Sequence, residues 1–339
     1  MTKKEGVPLK TLTTFRVGGE ARMVAYCSSV EDIHAALALA RNEQLPFYVL
    51  GEGSNVLASD EGYAGVIIKV ELSGYTFTGE ADGTVTLRAG AGVSWDEIVE
   101  AAAKRGLWGI ENLAGIPGYM GAAPVQNIGA YGMELKDTLR SVDVVNATTG
   151  EEKIMVVGEC ELGYRDSRFK HDPNLIITSV TLSLKKDGAP RIEYGDLIRA
   201  REAGTDLSTP LAIAAAVRTI RSGKFPDRTQ FGTAGSFFKN PVLTQEQYDE
   251  LSAKYGPIPQ FPNPKGIKIP LAFVLDKVLN LRGYRKGRAW LFGAQPLVLV
   301  LDEGGTASDV DSLAREIEEQ VRATTGISIE REVRTMPKN

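Results

Sequence analysis

The stretch AGIPGYMGAAPVQNIGAYGM, Ala114 to Met133, carries no charged residue, five glycines and two prolines. Gly and Pro punctuate it too often for a regular helix or a long strand. It is too apolar for an ordinary solvated loop, and its common reading is a buried irregular connection. A second glycine-rich segment, LGEGSNVLASD (Leu50 to Asp60), follows directly on an apolar strand. Alone, GEGSN reads most simply as a tight turn. Consecutive backbone N–H groups in such turns also form anion-binding concavities, and glycine lets a phosphate approach closely. Together the two segments point to a phosphate-bearing cofactor. With no cation in the neutral loop, main-chain dipoles are expected to hold it.

Neither segment is a GxGxxG, and no GxxxxGK[ST] occurs, so the usual dinucleotide and P-loop readings fail on their own criteria. Outward from the loop, short strands alternate with helices. Ala21–Tyr26, Pro46–Leu50 and Gly65–Val70 read as strands. Ser29 caps a helix running to Asn42. YTFTG and TVTLRAG form a hairpin turning at Asp82-Gly83. Ser94 and Glu97 form a capping box for WDEIVEAAAKR. After the loop, RSVDVVN, EKIMVV and NLIITSVTLSL read as an antiparallel set.

A turn-rich break at Lys185–Pro190 marks the expected domain boundary. Beyond it, Thr209-Pro210 opens a helix with Pro at the first position. Thr244 caps QEQYDELSAKY, LAFVLDKVLN reads as a third helix, and PLVLVL as a strand. Ser308 with Asp311 is expected to cap DVDSLAREIEEQVRATT. ISIEREVR reads as the last strand.

The 339 residues imply two or three domains. Lys plus Arg number 39 against 43 Asp plus Glu, so no basic field suits nucleic acid. Two cysteines and two histidines disfavour a disulfide framework and a metal site. No secretory signal and no apolar run of ~18–20 residues is present. The expectation is a cytoplasmic protein, a monomer, without membrane insertion.

Three later segments mix glycine, aromatics and reactive groups. GYRDSRFK (Gly163 to Lys170) reads as an anion-binding turn, against the commoner solvated loop. GTAGSFFKNP (Gly232 to Pro241) places Ser236 between a flexible run and two phenylalanines. With no GxSxG, Ser236 suits a proton donor better than a nucleophile, though a turn or cap role is commoner. IEREVR alternates, with Ile329, Arg331 and Val333 on one face and Glu330, Glu332 and Arg334 on the other.

Taken together, TTFRVGG, LGEGSNVL, IPGYMGAAPVQNIGAYG, ELGYRDSRFK, EYGDL, KFPD, AGSFFKNP and EREVR resemble the UDP-N-acetylenolpyruvoylglucosamine reductase (UDP-N-acetylmuramate dehydrogenase, MurB) family, in the family's order and over nearly the whole chain. The resemblance implies an α+β fold. A two-lobed FAD-binding domain of the vanillyl-alcohol-oxidase (PCMH) type is expected over residues 16–187, and a C-terminal α+β substrate domain over 205–335. It implies a flavoenzyme of peptidoglycan precursor synthesis. On that resemblance, hydride is expected to pass from NADPH through non-covalent FAD to the enolpyruvyl group of UDP-N-acetylglucosamine enolpyruvate.

By the same resemblance, Arg165 and a protonated Glu332 stabilise the enolate-like charge, and Ser236 protonates the alpha carbon. Gly51, Glu52, Gly53, Ser54 and Asn55 would bind FAD. So would Ile116, Pro117, Gly118, Gly121 and Ala122, with Gln126, Asn127, Gly129, Ala130 and Tyr131. Tyr164, Tyr194, Lys224 and Asn240 fall on the substrate side, Tyr194 in the subgroup whose substrate is closed over by a tyrosine loop.

Two departures stand out: TTF where Asn-Thr-Phe is usual, and Gln295-Pro296 in WLFGAQPLVLVL, which leaves a substrate role for Gln295 open. A flavin oxidase acting on an alcohol is disfavoured by Ser236 and Glu332, which suit protonating a carbanion. A non-catalytic flavin or sugar-nucleotide module would bind without turnover.

Overall fold

The computed structural model describes residues 1–336. The chain forms two compact units, each assembled from separated stretches. The first takes residues 1–7, 21–52 and 64–222; the second takes 8–20, 53–63 and the chain from Gly223 onward.

The first unit has two lobes. In one, strands Thr2–Pro8, Glu20–Cys27, Tyr63–Val70 and Phe47–Leu50 lie in that order. The last two pair in parallel, with Leu50 opposite Lys69. The helix Val30–Asn42 connects strands of this sheet and buries Ile33, Ala36, Leu37 and Ala40, an i, i+3, i+4, i+7 stripe. The Ser29 hydroxyl accepts from Asp32 N–H at 3.2 Å, as expected of a cap.

The other lobe is a five-stranded antiparallel sheet in the order Glu152–Val156, Leu139–Asn146, Leu175–Lys185, Thr84–Gly90, Tyr75–Gly79. Its hairpin turns where the sequence predicts: the Asp82 carboxylate accepts from Thr84 N–H at 2.9 Å, and Gly83 takes φ +84°. The side chains of the two lobes and of the helix Pro210–Lys224 meet in one core, to which that helix adds Ile213, Ala214, Ala216 and Val217.

The second unit has its own core around Phe15, Phe237 and Phe238 and the helix Ala307–Thr325, which buries Val310, Leu313, Ala314, Ile317 and Val321. That helix starts earlier than Ser308 suggests. Thr306 is the cap, accepting from Asp309 N–H at 3.1 Å. Ser308 N–H donates instead to the Asp60 carboxylate at 2.9 Å, as does Ala307 N–H. A local capping box sets the start, and a partner 247 residues away in sequence satisfies the next backbone donors.

Two other elements differ from expectation. LAFVLDKVLN is a single α turn, Leu271–Phe273, followed by a π-helical turn, Val274–Val278. In ISIEREVR only Arg334 belongs to a regular strand, Arg334–Thr335, parallel to Val56–Leu57. The residues before it change partners: Lys239 N–H donates to Glu330 O at 2.9 Å, while Arg334 N–H donates to Asn55 O at 3.1 Å. A segment that switches neighbours cannot form one continuous ladder.

Candidate active site

The neutral loop carries two short 3-10 turns, Met120–Ala122 and Pro124–Gln126, and follows a third, Glu111–Leu113. Its backbone is pinned onto the first unit. Trp95 N–H donates to Gly118 O at 2.9 Å, Met120 N–H to Val93 O at 2.8 Å and Gly121 N–H to Ala91 O at 2.9 Å. At Gly121 a Cβ would stand 2.6 Å from the Ala91 Cβ, so only glycine permits this approach.

The Gly115 peptide is clamped at both ends. Its N–H donates to Asp96 Oδ1 at 2.6 Å and its carbonyl accepts from Arg221 Nε at 3.0 Å. Arg218 braces Asp96 in turn, with Nε 3.1 Å from Oδ2. Ser94 makes no side-chain capping bond, and the helix's first turn is tied to the loop through Trp95 N–H and the Asp96 carboxylate.

Asn127 is fully buried in a left-handed conformation, φ 43°. Its Nδ2 donates to Gly163 O at 2.9 Å and to Glu134 Oε2 at 3.0 Å, and its Oδ1 accepts from Lys136 N–H at 3.0 Å. Ser167 Oγ donates to Val125 O at 2.6 Å. The glycine loop and the GYRDSRFK turn therefore form one fabric. Arg165 sits at its edge with φ 52°, a strained value for a non-glycine residue. Its Nη2 donates to Gly129 O at 2.6 Å, and its guanidinium lies 5.7 Å from the Tyr164 ring centroid. Lys170 Nζ donates to Arg165 O at 2.8 Å, fixing the strained turn. GYRDSRFK is thus a knotted turn, and more than a solvated loop.

Tyr131 also takes a positive φ, 48°, and its ring meets Tyr194. Tyr194 immediately precedes the helix Gly195–Glu202. Asn112, wholly buried, donates through Nδ2 to Tyr131 O at 2.9 Å and Arg191 O at 2.7 Å, joining these two segments.

At Gly51 a Cβ would make ordinary van der Waals contacts, with Ala122 Cβ at 3.6 Å and Tyr119 Cδ2 at 3.9 Å. Behind it lies a residue the sequence reading missed. Lys69 is buried in its strand; its Nζ donates to Gly51 O and stands 5.5 Å from the Tyr119 ring centroid. Burial pushes its ammonium below the ordinary lysine value, opposed by Glu71 and Glu52. A single lysine inside the apolar run GVIIKV was the available signal. A glycine backbone, a charge-free wall and a buried cation behind it suit the diphosphate and flat ring of FAD.

In the second unit, Ser236 is half-buried and bridges to Val298 in a strand-like contact. Gly235 precedes it at φ +76°. Phe237 and Phe238 pack edge to face at 5.1 Å and anchor the segment in the core. Glu332 N–H donates to Phe237 O at 2.8 Å, which brings the Ser236 and Glu332 segments together. Asn55 Nδ2 donates to Glu332 O at 3.2 Å. Arg331 anchors the same segment to the long helix, through Nε to Glu318 and Nη1 to Asp311, each at 2.6 Å.

Asn240 Oδ1 accepts from Leu271 N–H at 2.9 Å, and Gln295 closes a turn by donating its N–H to Phe292 O at 3.1 Å. Lys224 ends the helix Pro210–Lys224. Among the described residues, no group of three or more His, Cys, Asp and Glu could hold a metal ion, and no helix is long and apolar enough to cross a membrane.

Known proteins supply the remaining evidence. A family model described as "FAD binding domain" matches residues 21–154. Another, "UDP-N-acetylenolpyruvoylglucosamine reductase, C-terminal domain", matches residues 227–336. The chain is 40% identical over 329 residues to the UDP-N-acetylenolpyruvoylglucosamine reductase of Photorhabdus laumondii, spanning 96% of this chain and 95% of that one. It is 38% identical over 331 residues to that of Chromobacterium violaceum, with 96% of each chain covered. The crystal structure of the Thermus caldophilus reductase superposes with a TM-score of 0.69 at 27% identity, covering 99% of this chain and 98% of that one. The two-unit α+β fold, the FAD-binding lobes and these likenesses agree, and the chain belongs to the UDP-N-acetylenolpyruvoylglucosamine reductase family.

Proposed function

We propose that this chain reduces the enolpyruvyl group of UDP-N-acetylglucosamine enolpyruvate to give UDP-N-acetylmuramate, with Arg165, Ser236 and Glu332 as its catalytic residues. Bound FAD would supply the hydride chemistry, from NADPH to the substrate carbon beta to the carboxylate. The alpha carbon then carries the displaced electron pair, shared with the carboxylate, and must take a proton.

Arg165 suits the stabilising role because its guanidinium is fixed at the edge of the glycine fabric by the Gly129 carbonyl. Preorganised charge aimed where charge develops lowers the barrier without reorganisation. Ser236 supplies the proton from its hydroxyl, and Glu332 stabilises the same developing charge. Tyr194, Lys224 and Asn240 hold the sugar nucleotide, and the segments 51–55 and 116–131 hold FAD.

The observation that carries this reading is the bond from Glu332 N–H to Phe237 O, which seats the proton donor's segment beside that of its partner. The test is anaerobic NADPH consumption by purified protein. Oxidation of NADPH beyond one equivalent of bound flavin only when the enolpyruvyl sugar nucleotide is present supports the assignment. Continued consumption that ignores this substrate refutes it.

A further inference from the structure

Lys69 is buried in an otherwise apolar strand, 6% exposed. Its ammonium donates to the Gly51 carbonyl and stands over the face of the Tyr119 ring, and the charges of Glu71 and Glu52 favour its protonated form. A buried cation is costly unless an anion compensates it. A carbonyl and a ring face offer only partial compensation, each through a dipole or quadrupole and not a full charge. The two groups that Lys69 touches belong to the two glycine-rich segments, one on each.

We propose that Lys69 is the counter-charge for the diphosphate of the bound flavin nucleotide. This rests on the reading of segments 51–55 and 116–131 as the FAD cradle. The neutral loop then does not bind the diphosphate through main-chain dipoles alone. The cation comes from the sheet behind, where it cannot swing into solvent and has little side-chain freedom left to lose. Holding the Gly51 carbonyl also turns that oxygen toward the ammonium and away from an incoming anion. The same lysine therefore attracts the anion and removes a repulsive dipole.

The charge can be separated from the strut. Lys69→Gln keeps an N–H donor for the Gly51 carbonyl and removes the charge; Lys69→Met removes both. Holoprotein is diluted serially and ultrafiltered, and flavin absorbance in the filtrate gives the dissociation constant. Gly51→Val, which adds bulk to the cradle, is measured in parallel. Thermal melts of each variant establish that it is folded.

The expected result is a loss of FAD affinity of tenfold or more for both Lys69→Gln and Lys69→Met, with melting of the flavin-free protein unchanged or raised because a buried, only partly compensated charge has gone. Wild-type affinity in Lys69→Gln overturns the counter-charge role. If Gly51→Val alone releases flavin, the cradle reading stands and the inference about Lys69 fails. If none of the three variants releases flavin, both fail.

Discussion

The rings of Tyr131 and Tyr194 meet edge to face, with centroids 5.3 Å apart and planes at 80°. Burial raises both phenols above the ordinary value, Tyr131 to about 12, with the nearby Asp196 carboxylate adding to the effect in each. Both hydroxyls are therefore protonated at neutral pH and available as donors. The edge contact holds Tyr194, itself 39% exposed, at the start of its helix against a wall of the glycine fabric.

Tyr194→Phe keeps the ring contact and removes only the hydroxyl. If that hydroxyl donates to a substrate phosphate, the loss is one hydrogen bond to a charged group, about 1.5–3 kcal/mol. KM for the sugar nucleotide should rise by roughly tenfold or more with little change in kcat. Steady-state kinetics decide this. An unchanged KM with all the loss in turnover contradicts a binding role.

Asn127→Ala should destabilise the first unit. The substitution removes the stronger of two donors to the Gly163 carbonyl, which keeps Asp166 N–H at 3.4 Å, takes the acceptor from Lys136 N–H, and forces alanine into φ 43°. A buried polar group left unpaired costs about 1–3 kcal/mol, and these groups are only partly buried, so a loss of about 1–2 kcal/mol is expected. Asn127→Gly should lose less, since glycine accepts the left-handed backbone. Thermal melts of the two variants should rank them in that order; equal loss would show that the hydrogen bonds account for the whole effect.

Neither cysteine should react in the folded protein. Cys27 and Cys160 are both fully buried, and desolvation pushes their thiols up to about 12 and about 11. A raised pKa means almost no thiolate at pH 8, so alkylation should wait for unfolding. The same inertness argues against a cysteinyl flavin link. Acid precipitation should leave yellow flavin in the supernatant, and flavin remaining in the pellet refutes the non-covalent assignment.

Local signals were legible where local bonds decide the structure. Ser29, Thr244 and the Asp82-Gly83 turn satisfy backbone groups two or three residues away. The cap at Ser308 misled because Thr306, two residues earlier, makes the capping box with Asp309, leaving Ser308 in the first turn with its N–H donated to Asp60. EREVR was legible as an alternating segment, but its change of partner from Lys239 to Asn55 depends on tertiary neighbours. The neutrality of Ala114–Met133 was plain in the sequence. The lysine behind the cradle was not, because Lys69 reaches it across the parallel pairing of Leu50 with Lys69, which no spacing rule encodes.

Ser236→Ala should separate the two halves of the reaction. Reduction of bound flavin by NADPH delivers no proton to a sugar carbon, so it should run near the wild-type rate. Transfer to the enolpyruvyl group leaves charge at the alpha carbon that must be quenched. Ser236 stands beside the anchored pair Phe237 and Phe238, and Phe237 O holds the Glu332 backbone at 2.8 Å. Alanine fits this backbone, so the loss should be chemical, with the fold intact. General acid catalysis is typically worth ~10²–10⁴-fold, so reoxidation by substrate should slow by at least about a hundredfold. Ser236→Cys should retain part of the rate because a thiol still donates. Glu332→Gln should impair the same half through loss of a stabilising partner. Stopped-flow flavin absorbance measures each half alone. If Ser236→Ala slows reduction by NADPH as much as reoxidation, or slows neither, Ser236 is not the proton donor.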